Sequence, residues 1–184
     1  LNTSLPAVTV VGSINLDLIA TAERLPTAGE TIGGAVLYEQ PGGKGANQAA
    51  AAARLGGGRA RMVGVGGDAS GQRMLDALVS AGVDTSDVAV LPEPTGTALI
   101  VVDRDGENQI VVCPGANSHV SLGGVEFGPD ETVLCQLEIG LPVVEEAAQR
   151  TKGIFVMNAA PAMELPAELL ERGDLVTSTR ASTP

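Results

Sequence analysis

Short apolar runs of strand length alternate along this chain with longer stretches of helical period. Residues 7–12 form a β-branched run of the kind buried on both faces of a parallel sheet. Residues 13–18 then alternate, with Ser13, Asn15 and Asp17 on one side and Ile14, Leu16 and Leu18 on the other. The alanine-rich stretch 44–55 runs into Gly56-Gly57-Gly58 and predicts a helix with a glycine stop. Residues 61–65 predict a second core strand. Residues 70–81 predict a helix with Met74, Leu75, Leu78 and Val79 on one stripe before Gly82. Residues 132–137 and 154–158 predict further buried strands, with a helix at 143–151 between them. This order predicts an α/β fold with a mainly parallel sheet. Two segments break the rhythm: 31–40 and 97–112 read as extended, the second a hairpin turning at 103–107. They predict a small antiparallel accessory sheet inserted in the α/β domain.

Composition narrows the function. The 184 residues, 44% hydrophobic and 18% charged, suit one globular domain with a substantial core rather than a disordered chain. No run approaches the ~18–20 apolar residues of a membrane helix, so no membrane partner is expected. Asp and Glu number 22 against 11 Lys and Arg, a net charge of −11. Nucleic-acid binding by electrostatics needs the opposite sign. An anionic ligand must be held by local groups against the overall field. Aromatic residues make up 2% and Trp is absent, which disfavours stacking platforms. Cys113 and Cys135 have neither a CxxC nor a zinc-ligand spacing and read as reduced, mostly buried thiols. His119, the only histidine, reads as a loop residue. The N-terminus shows no leader pattern, which predicts a cytoplasmic protein. Leu1 reads as a processed, fragmentary or non-standard start, and the sequon Asn2-Thr3-Ser4 as chance.

Three segments could carry chemistry. In PGGKGANQAA (41–50), adjacent glycines let backbone approach a ligand, and the following helix points its first N–H groups back at that spot. Lys44 adds positive charge, and Asn47 offers a donor and an acceptor one turn later. It is not a P-loop, because Gly45 rather than Ser or Thr follows Lys44. Asn15 and Asp17 lie beyond the first strand, where open α/β sheets bind ligands. A carboxylate there can accept from two vicinal hydroxyls at once. Glu138 lies beyond strand 132–137 in the same sense. Taken singly, each also fits a plain glycine turn, a solvated strand end or an exposed loop carboxylate.

Taken in order, GSINLD, PGGKGANQAA, VGVGGDASG, TGTALIVVD with GENQIVVCPGAN, and QLE resemble the ribokinase branch of the PfkB carbohydrate-kinase family, from about residue 8 to 176. The resemblance implies a ribokinase-like Rossmann-type sandwich. It implies that Asn15, Asp17, Gly43, Lys44, Asn47 and Glu138 bind the sugar. The extended segments become a lid that closes over it and joins a homodimer. The implied reaction is ATP-dependent phosphorylation of D-ribose at the 5-hydroxyl, with Mg2+ and a monovalent cation in the complete enzyme. Such transfer is mainly positioning plus electrostatics, with a base taking the hydroxyl proton. In the family that base is an Asp in a Gly-Ala-Gly-Asp segment. This segment, the Asn-x-x-Glu segment tied to magnesium, the ATP loops and the cation site do not occur here, so no catalytic or metal residue is assigned. Asp68 belongs to the motif before a helix and does not substitute for the base. Ala159 stands after Asn158 where relatives often have Pro, a loss of loop rigidity.

The pattern reads as one N-terminal portion of a ribokinase-like domain over 1–176, with the C-terminal part missing and 177–184 an aberrant tail. One choice among the degenerate codons for 178–184, read two nucleotides later, gives Asn-Glu-Gly-Glu-His-Ala, which matches the family's continuation. A frameshifted, truncated product without phosphotransferase activity is the expectation. Alternatives are a non-catalytic sugar-binding or dimerising fragment, and a family kinase for another sugar or a nucleoside. A dinucleotide-binding oxidoreductase could use Gly64-x-Gly66-x-x-Ala69, but that run follows the second core strand rather than the first.

Overall fold

The computed structural model describes residues 7–56 and 59–178. The expectations for Leu1, the Asn2-Thr3-Ser4 sequon, Gly57-Gly58 and the tail at 179–184 lie outside the described residues. The elements are β1 (Val8–Val11), β2 (Asn15–Thr21), β3 (Val36–Gly42), α1 (Lys44–Leu55), β4 (Ala60–Gly66), α2 (Ala69–Ser80), β5 (Val83–Val90), β6 (Gly96–Val102) and β7 (Asn108–Cys113). A 3-10 turn (Gly115–His119), β8 (Thr132–Gln136), α3 (Leu141–Arg150), β9 (Ile154–Asn158), α4 (Ala167–Arg172) and β10 (Leu175–Thr177) follow.

β1 lies near the middle of a six-stranded sheet of order β10-β9-β8-β1-β4-β5, and every pairing in it is parallel. Alternate residues of β1 feed two cores, as the period of a strand requires. Val11 joins Val63, Val133, Phe155 and Met157 under Val144, Ala147 and Ala148 of α3. Val10 joins Met62 under Ala46, Ala49 and Ala53 of α1 and Met74, Leu75 and Leu78 of α2. Small alanines on α1 let that helix sit close to the sheet, where it brings its first turn to the carboxyl end of β1.

The second sheet, of order β3-β2-β6-β7, grows directly out of β1. β2 pairs antiparallel with β3 and parallel with β6, and β6 pairs antiparallel with β7, so the sheet is mixed where an antiparallel one was anticipated. Pro41 is tolerated in β3 because β3 is an edge strand. At the root of this sheet Asn15 pairs with Gly42 on one side and Gly96 on the other.

Several expectations change. β3 starts at Val36 rather than near residue 31, because Gly33-Gly34 keeps the preceding stretch irregular, with Gly34 at φ +80°. Val79 is 57% exposed; the stripe of α2 is Gly71, Met74, Leu75 and Leu78, and Val79 falls past its edge. Cys113 is exposed at the end of β7, while Cys135 is buried in β8 and burial pushes its thiol up. Gly64 and Gly66 lie inside β4 rather than in a phosphate-binding turn, which removes the basis for a dinucleotide fingerprint. Asp68 caps α2 through Ser70 N–H and accepts from Thr95 Oγ1, a structural role. Among the described residues, no helix is long and apolar enough to cross a membrane.

Candidate functional site

Gly12, Ser13 and Ile14 carry the chain from β1 into β2 across the first turn of α1. Gly43, the residue before α1, has φ +91°, and a Cβ there would stand 2.8 Å from the Ser13 carbonyl oxygen and 2.9 Å from Asn15 N. Only glycine fits both the backbone angle and the space. The first N–H groups of α1 are not free for a ligand, contrary to the reading from the glycine run. Lys44 N–H donates to Glu138 Oε2 (2.9 Å), Gly45 N–H to Ser13 Oγ (3.3 Å) and Ala46 N–H to the Ser13 carbonyl (2.9 Å). Glu138 thus acts as the anion at this helix start, a favourable place for negative charge. Ser13 Oγ donates to the same Oε2 (2.6 Å), and Lys44 Nζ reaches Glu138 Oε1 at 3.1 Å.

Asp17 is in the opposite condition. Its carboxylate accepts no hydrogen bond from the described residues, yet it is half-buried above Gly42, where any side chain would overlap it. Burial chiefly, and the Glu138 charge next, raise its pKa, while Lys44 pulls the other way. Asn15 is 2% exposed and lines the same space. A cavity of about 120 Å³ is bounded by Asn15, Asp17, Gly43, Lys44, Asn47 and Glu138 on its polar side. Ala98, Ile100, Ile110 and Val112 of β6 and β7 form the apolar side. A roomier groove of about 260 Å³ lies between α1, α2 and β3, and Asn47 borders both. The polar groups converge on the smaller one.

The model for pfkB family carbohydrate kinases matches residues 6–128. This chain belongs to the PfkB carbohydrate-kinase family. The PfkB chain is 42% identical over 178 residues to the ribokinase of Haemophilus influenzae, covering 92% of itself and 58% of that protein. A ribokinase structure from Thermotoga maritima superimposes with a TM-score of 0.86 at 30% identity, over 95% of this chain and 59% of that one. The Arabidopsis thaliana ribokinase complexed with ribose and ATP gives 0.73 at 30% identity, over 94% and 60%. The PfkB chain therefore spans about three fifths of the length of these relatives.

All six residues singled out in the sequence border the one cavity of this PfkB chain. Asn47 is exposed at its rim and Glu138 is turned mainly to its protein partners. The apolar wall from β6 and β7 was not named residue by residue, although the period-2 pattern of those strands could have supplied it. Ser13 was visible on the polar side of its run, but its bond to a carboxylate 125 residues away was not. Among the described residues no group of three or more His, Cys, Asp or Glu side chains is placed to hold a metal ion.

Proposed function

We propose that this chain is the sugar-holding portion of a ribokinase-like enzyme, one that transfers the γ-phosphoryl group of ATP to the 5-hydroxyl of D-ribose. The observation that carries the reading is the unpartnered, half-buried Asp17 carboxylate facing a cavity beside the Lys44–Glu138 pair. Such a carboxylate loses the hydrogen bonds of water without replacement, a cost that a diol donating two O–H groups removes. Asn15 and Asn47 supply further polar contacts. Lys44, held by Glu138, adds positive charge to the rim. Ala98, Ile100, Ile110 and Val112 cover the cavity with apolar surface and keep water from the bound sugar. The relative solved with ribose and ATP supports sugar and nucleotide use for the whole enzyme.

The reacting hydroxyl must give up a proton as its oxygen takes the phosphoryl group. In the family an Asp of a Gly-Ala-Gly-Asp segment accepts that proton, and no such segment occurs in these 184 residues. ATP, Mg2+ and the monovalent cation are likewise assigned to segments not found here. The chain by itself is expected to bind D-ribose saturably and to release no ribose-dependent ADP. Calorimetric titration with D-ribose and a coupled ADP assay test both parts. Absence of ribose binding would sink the sugar reading. Ribose-dependent ADP release, abolished by Lys44→Ala, would show that the transfer machinery has been misplaced.

We further propose that β3, β6 and β7 form the lid and that its far face joins a second copy of the chain. By register Leu37, Leu99, Val101 and Val111 share the face turned away from Asp17. Leu37, Leu99 and Val111 are 67%, 46% and 61% exposed in the single chain. A contiguous apolar face of this kind marks an association surface. Val102 belongs to the Ala98 and Ile100 side, so Val101 is the better site for a charge. Val101→Glu or Val111→Glu is expected to shift the sedimentation of the chain from dimer to monomer. A wild-type chain that sediments as a monomer at all concentrations counts against the lid contact.

A further inference from the structure

The 3-10 turn that follows β7 contains a side chain with no role so far. Asn117 is 2% exposed, and its carboxamide reaches back to the β1–β2 connection. Oδ1 accepts from Ile14 N–H (2.9 Å), while Nδ2 donates to the Ile14 carbonyl (3.2 Å) and to Asn15 Oδ1 (2.7 Å). A backbone N–H only donates and a carbonyl only accepts, so Ile14 determines which end of the Asn117 carboxamide is oxygen. That choice passes on to Asn15. The Asn15 atom facing Asn117 must accept and is therefore Oδ1, which leaves Nδ2 as the group Asn15 can offer to the cavity.

A second observation shows that the fold is built around this contact. β6 begins at Gly96, where a Cβ would overlap both Asn117 Nδ2 and Asn15 Oδ1. Any other residue at the root of β6 would break the bond between the two carboxamides.

We propose that Asn117 is a positioning residue that holds Asn15 as a hydrogen-bond donor. The cavity then presents a donor at Asn15 and an acceptor at Asp17, two residues apart on one face of β2. A ligand fits when it offers an acceptor oxygen to the first and O–H groups to the second. This rests on the cavity being the sugar site, and it adds the polarity that orients the sugar.

Asn117→Asp keeps the shape and replaces Nδ2 by an acceptor, which faces the Ile14 carbonyl as well as Asn15. Asn15 must then turn its Nδ2 toward the new carboxylate and its Oδ1 toward the cavity. D-ribose affinity of the 184-residue chain is expected to fall by about tenfold or more, the effect of an acceptor facing an acceptor. In an Asn15→Ala background the same substitution should cause no further loss, because a residue acting through Asn15 is not additive with it. The NMR signals of the side-chain amides give a readout that needs no sugar. In the wild type the Asn117 amide protons should exchange slowly with solvent and those of Asn15 faster. In Asn117→Asp the Asn15 amide signal should move. If the wild type binds no ribose, the sugar reading fails while the amide signals still decide the role of Asn117. The proposal is overturned by a wild type in which the Asn15 protons are the more protected, or by an Asn15 signal unmoved in the variant. An equal affinity loss with and without Asn15 would also overturn it, since that is what a purely structural residue gives. If Asn117→Asp does not fold, Asn117→Ala removes the donor without reversing polarity and should show a smaller loss that again vanishes without Asn15.

Discussion

Asp17→Asn is expected to cut D-ribose affinity by roughly tenfold to over a hundredfold, the ~1.5–3 kcal/mol of hydrogen bonds to a charged group. The same change should leave the empty chain as stable as before at neutral pH, or more so. Both follow from a carboxylate that accepts no hydrogen bond from the described residues and is half-buried above Gly42. Burial, followed by repulsion from Glu138, raises its folded-state pKa. A group with a raised folded pKa contributes stability that is fully present below its unfolded pKa and lost as pH rises through the folded one. At neutral pH the ionised Asp17 therefore opposes folding, and a neutral amide relieves it. The wild type should also lose ribose affinity on acidification at a higher pH than an ordinary aspartate would dictate. Calorimetry at several pH values, with thermal unfolding of both proteins, tests the set. Equal ribose affinities, or an affinity loss accompanied by a matching loss of stability, would remove Asp17 from the site.

Gly45→Ala is expected to damage both the fold and the site with one added methyl group. The new Cβ would lie 2.5 Å from Ser13 N, 2.7 Å from Gly12 C and 2.8 Å from Gly12 Cα. All three are backbone atoms of the β1–β2 connection, so no side chain can swing aside to make room. Relief requires α1 to move off the sheet, which costs on the order of 1–3 kcal/mol or more for overpacking. That movement also separates Lys44 from Glu138, so ribose binding should disappear together with stability. Gly33→Ala is the control, because nothing lies within 4 Å of a Cβ there. It should stay within about 0.5 kcal/mol of the wild type. Denaturant midpoints compare the two, and similar midpoints would show that α1 does not need its close approach.

The comparison of sequence and structure divides by the range of the forces involved. α1 was legible to the residue because its limits are local: a glycine run before Lys44 and another after Leu55. β5 was not anticipated. It is an edge strand whose Asp84, Ser86 and Asp87 interrupt any apolar run, and only Val83 is fully buried. α4 spans six residues and buries Leu169 alone, too little to show a period. The six candidate site residues could be read because family motifs mark them. Their bonding could not. Glu138 is engaged by Ser13 and by the Lys44 backbone, and Asn15 by Asn117, across separations of about a hundred residues that no local pattern encodes.

The row Gly42–Asn15–Gly96 crosses three strands of the second sheet at its root. Two of its three members carry no side chain, and the space over them is taken by Asp17, Asn15 and Asn117. β2 and β6 each extend six residues beyond this line, to Thr21 and Val102, a lever of roughly 20 Å at ~3.3 Å per residue. A turn of about 10° at the row carries the far end of the sheet by roughly 4 Å over that length. Ala98, two residues from the fulcrum, moves by little more than 1 Å in the same turn. Any such turn about this row would act as a lever, leaving contacts beside Asp17 nearly still while the tip of the sheet moved.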